Sequence, residues 1–209
     1  MVRLFFIIFV LGYLFGSLPT GYLAGRLRGI DVRKHGSGNI GATNVLRVLG
    51  KPWGYSVFFV DVMKGFVAVR IALFLAERDP AGMEYAEFFA VLAAAACVLG
   101  HSFPVWLRFK GGKGVATSAG SIFGVMPIAA ITIFLVWLVV FLTTRYVSVA
   151  SIIAALALPL VVGVLVWLKM THGMVLLYFS LAMTALVVWR HRGNMVRLLN
   201  GTEQRFARK

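Results

Sequence analysis

Three short runs combine glycine with Arg, Lys, His and Asn inside an otherwise apolar chain: KHGSGNIGATNVLR (34–47), GHSFPVWLRFKGGKGVAT (100–117) and WRHRGNMVRLLNGTEQR (189–205). Lipid tails have no use for exposed backbone beside such side chains, whereas a phosphate-bearing substrate at a membrane surface needs that mixture. In the first run, Gly36, Gly38 and Gly41 remove side chains so that consecutive N–H groups can close on an anion. Ser37, Thr43 and Asn44 add neutral donors, Asn39 is grouped with them, and Arg47 supplies a planar fork suited to phosphate or carboxylate. The same run read alone also fits a flexible loop whose arginines touch lipid headgroups.

The second run is more specific. Gly111, Gly112 and Gly114 surround Lys113, with Lys110 just before, immediately ahead of an apolar segment. Backbone amides at a helix start, with the two lysines as point charges, form a phosphate pocket. A nucleotide P-loop is excluded, because Gly112-Lys113 is followed by Gly114 rather than Ser or Thr. His101 nearby reads equally as a satisfied imidazole between helices, and Pro104 is expected to bend its helix. In the third run His191 and Asn194 share a helical face, with Arg190 and Arg197 on flanking turns. That face fits a small polar substrate, or else its arginines simply snorkel at the membrane boundary. Asp61 and Lys64 lie one turn apart inside an apolar stretch and are expected to pair. Ser148 enters another such stretch from the same side as the runs.

Missing patterns narrow the chemistry. From His35, His101, His172 and His191, the fifth following residue is never Asp, which excludes a His-x4-Asp acyltransferase base. There is no Gly-x-Ser-x-Gly elbow and no His/Asp/Glu set with metal spacing. With seven Asp and Glu in all, the acidic clusters of metal-dependent alcohol phosphotransferases are absent. Cys97 is alone, so no intrachain disulfide is possible.

The elements that must position these runs are membrane helices. The 209 residues are 60% hydrophobic and 13% charged, against about 25% charged in ordinary soluble domains, and mean hydropathy is +0.90. A net charge of +14 would suggest nucleic acid in a soluble chain, but positive-inside topology and anionic lipid absorb it here. We therefore expect an all-α, polytopic membrane protein, one domain over 1–209, with about seven spans. These cover about Leu4–Ala24, Trp53–Leu75, Phe88–Leu107, Val115–Val125, the stretch after Pro127 to Leu142, Val149–Leu168 and Met174–Trp189, the fourth being short enough for a partial span. With the N-terminus outside and the C-terminus cytoplasmic, sixteen Lys and Arg fall inside, Arg208 and Lys209 among them, and only Arg3, Arg78 and Lys169 outside. All three runs then face the cytoplasm and are expected to gather into one pocket. The same bias argues against reading the first span as a cleaved signal.

Together GSGNIGATNVLR, GHSFPVWLRFKGGKGVAT and HRGNMVRLLNGTE resemble the signature segments of the bacterial membrane acyl-phosphate:glycerol-3-phosphate acyltransferase family, PlsY. Length, span count and Asp61-x-x-Lys64-Gly65 are similar as well. The resemblance implies transfer of a fatty acyl group from acyl phosphate to the sn-1 hydroxyl of glycerol 3-phosphate. Lysophosphatidic acid and phosphate would result, at the bacterial inner membrane, at the start of phospholipid synthesis. It implies no cofactor or metal, and no nucleic-acid or obligate protein partner is expected. The residues expected to be catalytic are Ser37, Arg47, Lys110, Lys113, His191 and Asn194. Gly36, Gly38, Asn39, Gly41, Thr43, Asn44, Gly111, Gly112, Gly114, Ser148, Arg197 and Glu203 are expected to bind substrate. Competing readings are an anion or phospholipid transporter gated by Asp61 and Lys64, or a lipid-binding subunit without chemistry.

Overall fold

Proline and glycine mark where several of the helices start and stop. The structure, a computed structural model, describes residues 1–171 and 173–206. His172, Arg208 and Lys209, which enter the sequence reading, lie outside the described residues. Among the described residues every regular element is helical.

The chain folds as two units, Met1–Val125 and Met126–Lys209. The first holds α1 (Val2–Gly16), α2 (Thr20–Leu27), α3 (Ala42–Leu49), α4 (Lys51–Ala76), α5 (Pro80–Glu84), α6 (Ala86–Ser102) and α7 (Val115–Val125). Pro19 carries no N–H to continue the ladder, so the first apolar stretch breaks between α1 and α2. α1 packs on α6, and α4 on α7, α6 and α3. The α1–α6 packing uses small residues: Gly16 lies against the Cys97 carbonyl and Gly100 against that of Tyr13, each so close that a Cβ would collide. Such close backbone approach is how helices associate where lipid is as apolar as leucine. Ile8, Ala72, Ala76, Phe89 and Ala93 form a buried apolar cluster in this unit.

The second unit holds α8 (Pro127–Thr144), α9 (Val147–Trp167), α10 (Met174–Arg190) and α11 (Arg192–Leu199). Pro127 opens α8, where a missing N–H has no consequence, and Arg145 ends it in the left-handed region at φ 64°. α9 packs against α8 and α10. α10 and α11 meet at His191 with a 51° bend.

Among the described residues, four helical stretches are long and apolar enough to cross a membrane: Val2–Leu27, Ala86–Leu107, Pro127–Thr144 and Val147–Trp167. Met174–Arg190 with Arg192–Leu199 makes a fifth if the bent pair counts as one span. The expected seven include two further helices. α4 has 26 residues but carries Asp61, Lys64 and Arg70, and α7 has 11, starting and ending where the fourth segment was expected. Pro104 does more than bend its helix: α6 stops at Ser102, and the Pro104 carbonyl then accepts from Leu107 N and Phe109 N.

Candidate active site

In the first unit the 28–41 loop is tied down from α3. The Asn44 side chain, 2% exposed, accepts at Oδ1 from Ser37 N (2.8 Å). Its Nδ2 points at the carbonyls of Val32 (3.1 Å), His35 (3.1 Å) and Asn39 (2.8 Å). Its amide is thus committed to shaping the loop. Gly36 sits beside it at φ 58°, where a Cβ would strike Asn44 Oδ1, so both backbone and space require glycine. Asn39 Oδ1 accepts from Gly41 N at 2.7 Å just ahead of α3. The loop entrance is closed by Arg33, whose Nε and Nη2 donate to Asp31 at 2.9 and 2.7 Å. Those hydrogen bonds, set against a smaller burial effect, hold the Asp31 carboxyl at about 2. Ser37 and Gly38 are exposed in the loop, while Thr43 and Arg47 lie half-buried on α3.

The second run folds back on the end of α6. Gly111 N donates to Ser102 O (3.2 Å) and Gly112 N to His101 O (3.1 Å). Gly114, at φ 82°, then leads into α7, where its carbonyl accepts from Ser118 N at 2.7 Å. Lys113 is half-buried within this turn and Lys110 is exposed before it. Beneath lies a buried polar network that sequence reading only partly anticipated. The expected Asp61–Lys64 pair forms at 2.8 Å, with both side chains at most 3% exposed. Thr20 Oγ1 donates to Asp61 Oδ1 (2.6 Å), and Lys64 Nζ donates to Leu18 O (3.1 Å), a carbonyl at the α1–α2 break. His101 Nδ1 lies 3.5 Å from the same Asp61 oxygen. Asp61-x-x-Lys64 was visible as a motif, but Thr20 and His101 become its partners only once three helices pack.

In the second unit Glu203 gathers residues far apart in sequence. Its Oε1 accepts from Ser148 Oγ (2.8 Å) and Asn194 Nδ2 (2.6 Å), and its Oε2 from Arg197 Nε (2.8 Å). His191 caps the α10–α11 junction, where its backbone carbonyl accepts from Asn194 N at 2.8 Å. His191 Nδ1 lies 2.8 Å from Val187 O, and since a carbonyl only accepts, Nδ1 carries the proton there. In the neutral ring, Nε2 therefore carries the lone pair.

Burial raises the Glu203 pKa, but the hydrogen bonds from Asn194, Ser148 and Arg197, helped by the Arg197 charge, outweigh it and hold the carboxyl below its usual value. A group depressed on folding contributes stability that is complete above its unfolded pKa, about 4.3, and is lost as pH falls through the folded one. Thermal unfolding of the detergent-solubilised protein should therefore show an acid limb below about pH 4.5 that Glu203→Gln reduces. An unchanged limb would mean that the carboxylate contributes nothing to folding.

This is the architecture of an integral membrane protein whose helix ends carry glycine-rich turns and buried polar side chains. The chain matches the glycerol-3-phosphate acyltransferase family over residues 6–201 and belongs to that family. It is 44% identical to the glycerol-3-phosphate acyltransferase of Aquifex aeolicus over 99% of this chain and 100% of that one. It is 47% identical to that of Gloeobacter violaceus, covering 94% and 92%. The crystal structure of PlsY, an integral membrane glycerol 3-phosphate acyltransferase, is similar in its glycerol 3-phosphate form, with TM-score 0.87 and 41% identity over 97% of this chain and 96% of that one. Its lysophosphatidic acid form gives 0.83 and 40%, over 97% and 95%.

Proposed function

We propose that the chain, a membrane glycerol-3-phosphate acyltransferase, takes its acyl group from acyl phosphate and delivers it to the sn-1 hydroxyl of glycerol 3-phosphate, releasing phosphate and lysophosphatidic acid. The observation that carries this reading is the Gly111–Gly114 turn. Its Gly111 and Gly112 N–H groups tie the glycine backbone to the end of α6, leaving Lys113 in the turn and α7 opening from it, an arrangement that supports an anion site at Lys113 and the start of α7. The acyl-phosphate headgroup is assigned to that turn and Lys113. For glycerol 3-phosphate the candidates are Arg47 and Lys110, with Ser37, in the first unit and His191 and Asn194, with Ser148, in the second, each on the chemistry of its own run. Asn44 and Glu203 support these groups: Asn44 shapes the first loop, and Glu203 orients Ser148, Asn194 and Arg197. Seven spans, an outer N-terminus and a site facing the cytoplasm at the bacterial inner membrane complete the proposal, on the distribution of Lys and Arg.

An acyl phosphate is already activated, so alignment of the hydroxyl and neutralisation of the leaving phosphate supply the acceleration without an enzyme nucleophile. The hydroxyl still loses a proton. His191 Nε2 is one acceptor, and a phosphate oxygen of the substrate is the other. We favour the phosphate oxygen, with His191 orienting the acceptor. His191→Ala should then raise KM for glycerol 3-phosphate while kcat falls less than about tenfold; a kcat loss of about 10²-fold or more at saturating substrate would assign the proton to His191.

The donor is tested with purified protein, glycerol 3-phosphate and either palmitoyl phosphate or palmitoyl-CoA, following lysophosphatidic acid. Product from palmitoyl phosphate alone supports the reading. Product from palmitoyl-CoA alone refutes the assigned donor.

A further inference from the structure

The proposed phosphate role of Gly111–Gly114 leaves open what fixes that turn, and the buried network below supplies an answer. Asp61, 1% exposed, sits on α4 within reach of Thr20, Lys64 and His101. Beside Thr20 and Lys64, the His101 ring, 5% exposed, lies against the same oxygen. Its other nitrogen, Nε2, lies directly under Gly112, where a Cβ would collide with the ring. The backbone of the same histidine accepts from Gly112 N, and that of Ser102 from Gly111 N. The imidazole is thereby both anchored from α4 and packed against the turn that carries Lys113. We propose that His101 is a positioning residue: held by Asp61, its ring forms the floor on which Gly112 rests, and so sets the height of Lys113 and of the neighbouring amides relative to the substrate phosphate. Glycine at 112 is then required by contact with the ring. The order of dependence runs from the Asp61 carboxylate through the imidazole to the turn, and a displacement of the turn by about 1 Å is enough to lower transfer by about 10²-fold.

This inference rests on the reading of the run as a phosphate site, so the test separates the two. Initial rates of acyl transfer from palmitoyl phosphate are measured for the wild type, His101→Ala, Gly112→Ala, the double variant and Lys113→Ala, with thermal unfolding of each followed in parallel. Gly112→Ala is expected to lower kcat by about 10²-fold. His101→Ala should lower kcat as well, with an unfolding midpoint close to wild type, because Asp61 keeps Lys64 and Thr20. The double variant should be no worse than His101→Ala, since the added methyl then meets no ring. Should His101→Ala fail to fold, the same relief is expected in His101→Asn, whose shorter side chain keeps a donor toward Asp61 but does not reach Gly112. Losses that multiply in both backgrounds, or wild-type kcat in Gly112→Ala, would overturn the proposal. Wild-type kcat in Lys113→Ala would instead overturn the phosphate reading on which it stands.

Discussion

Replacing Lys113 by alanine is expected to lower kcat for acyl transfer by about 10²–10³-fold while leaving the unfolding temperature nearly unchanged. Lys113 is half-buried in a turn whose shape is set by backbone hydrogen bonds to His101 and Ser102, so its removal leaves the turn in place. What disappears is a cation aimed at a group whose negative charge grows as the acyl–phosphate bond breaks. Such a charge acts mainly in the transition state, and the loss should therefore fall on kcat more than on KM. Arginine at 113 should restore only part of the rate, because its planar fork does not fit where a compact ammonium sat. A Lys113→Ala enzyme with wild-type kcat would remove the cation from the account.

The second large effect is on folding. Asp61→Ala should destabilise the protein by about 3–5 kcal/mol, because Lys64, 3% exposed, is left charged and buried with only the Leu18 carbonyl among its described acceptors. The change also withdraws the acceptor of Thr20 and the anchor of His101, so activity should fall in whatever fraction folds. Removing both charges in Asp61→Ala/Lys64→Met should be milder than Asp61→Ala alone, since no buried charge then lacks a counter-ion. Unfolding midpoints in detergent, measured for the two variants and the wild type, check this ordering. Equal destabilisation by both variants would show that the ion pair itself is not what the fold depends on.

Much of the helical layout was legible because apolar length and proline placement are local properties. Val115 and Met174 were read as helix starts and are helix starts, and Pro127, after which the fifth span was read, itself opens α8. The break between α1 and α2 was not read, although Pro19 is visible, because whether a proline kinks or ends a helix depends on what takes up the carbonyls freed around the break. Here Lys64 takes that of Leu18, from 46 residues away in the chain. Residue type likewise drew attention to Asn44, Ser148, Asn194, Arg197 and Glu203. It could not separate a donor that faces substrate from one that holds a loop, and in Asn44 the amide goes to the loop. Glu203 shows the same limit in reverse: a lone carboxylate near the chain end has no pattern of its own, and its function as the acceptor for three side chains depends on α9 and α11 lying together. His101 was balanced between structural and functional readings, since its tie to Asp61 joins α6 to α4 and leaves no periodic trace in either helix.

Direct transfer, driven by positioning and charge rather than by an enzyme-bound acyl group, is open to one decisive measurement. Purified protein is mixed rapidly with palmitoyl phosphate and phosphate release is followed, first without and then with glycerol 3-phosphate. The account predicts no stoichiometric burst before the acceptor is added, and afterwards one phosphate for each lysophosphatidic acid formed. A burst approaching one phosphate per enzyme in the absence of glycerol 3-phosphate would contradict it.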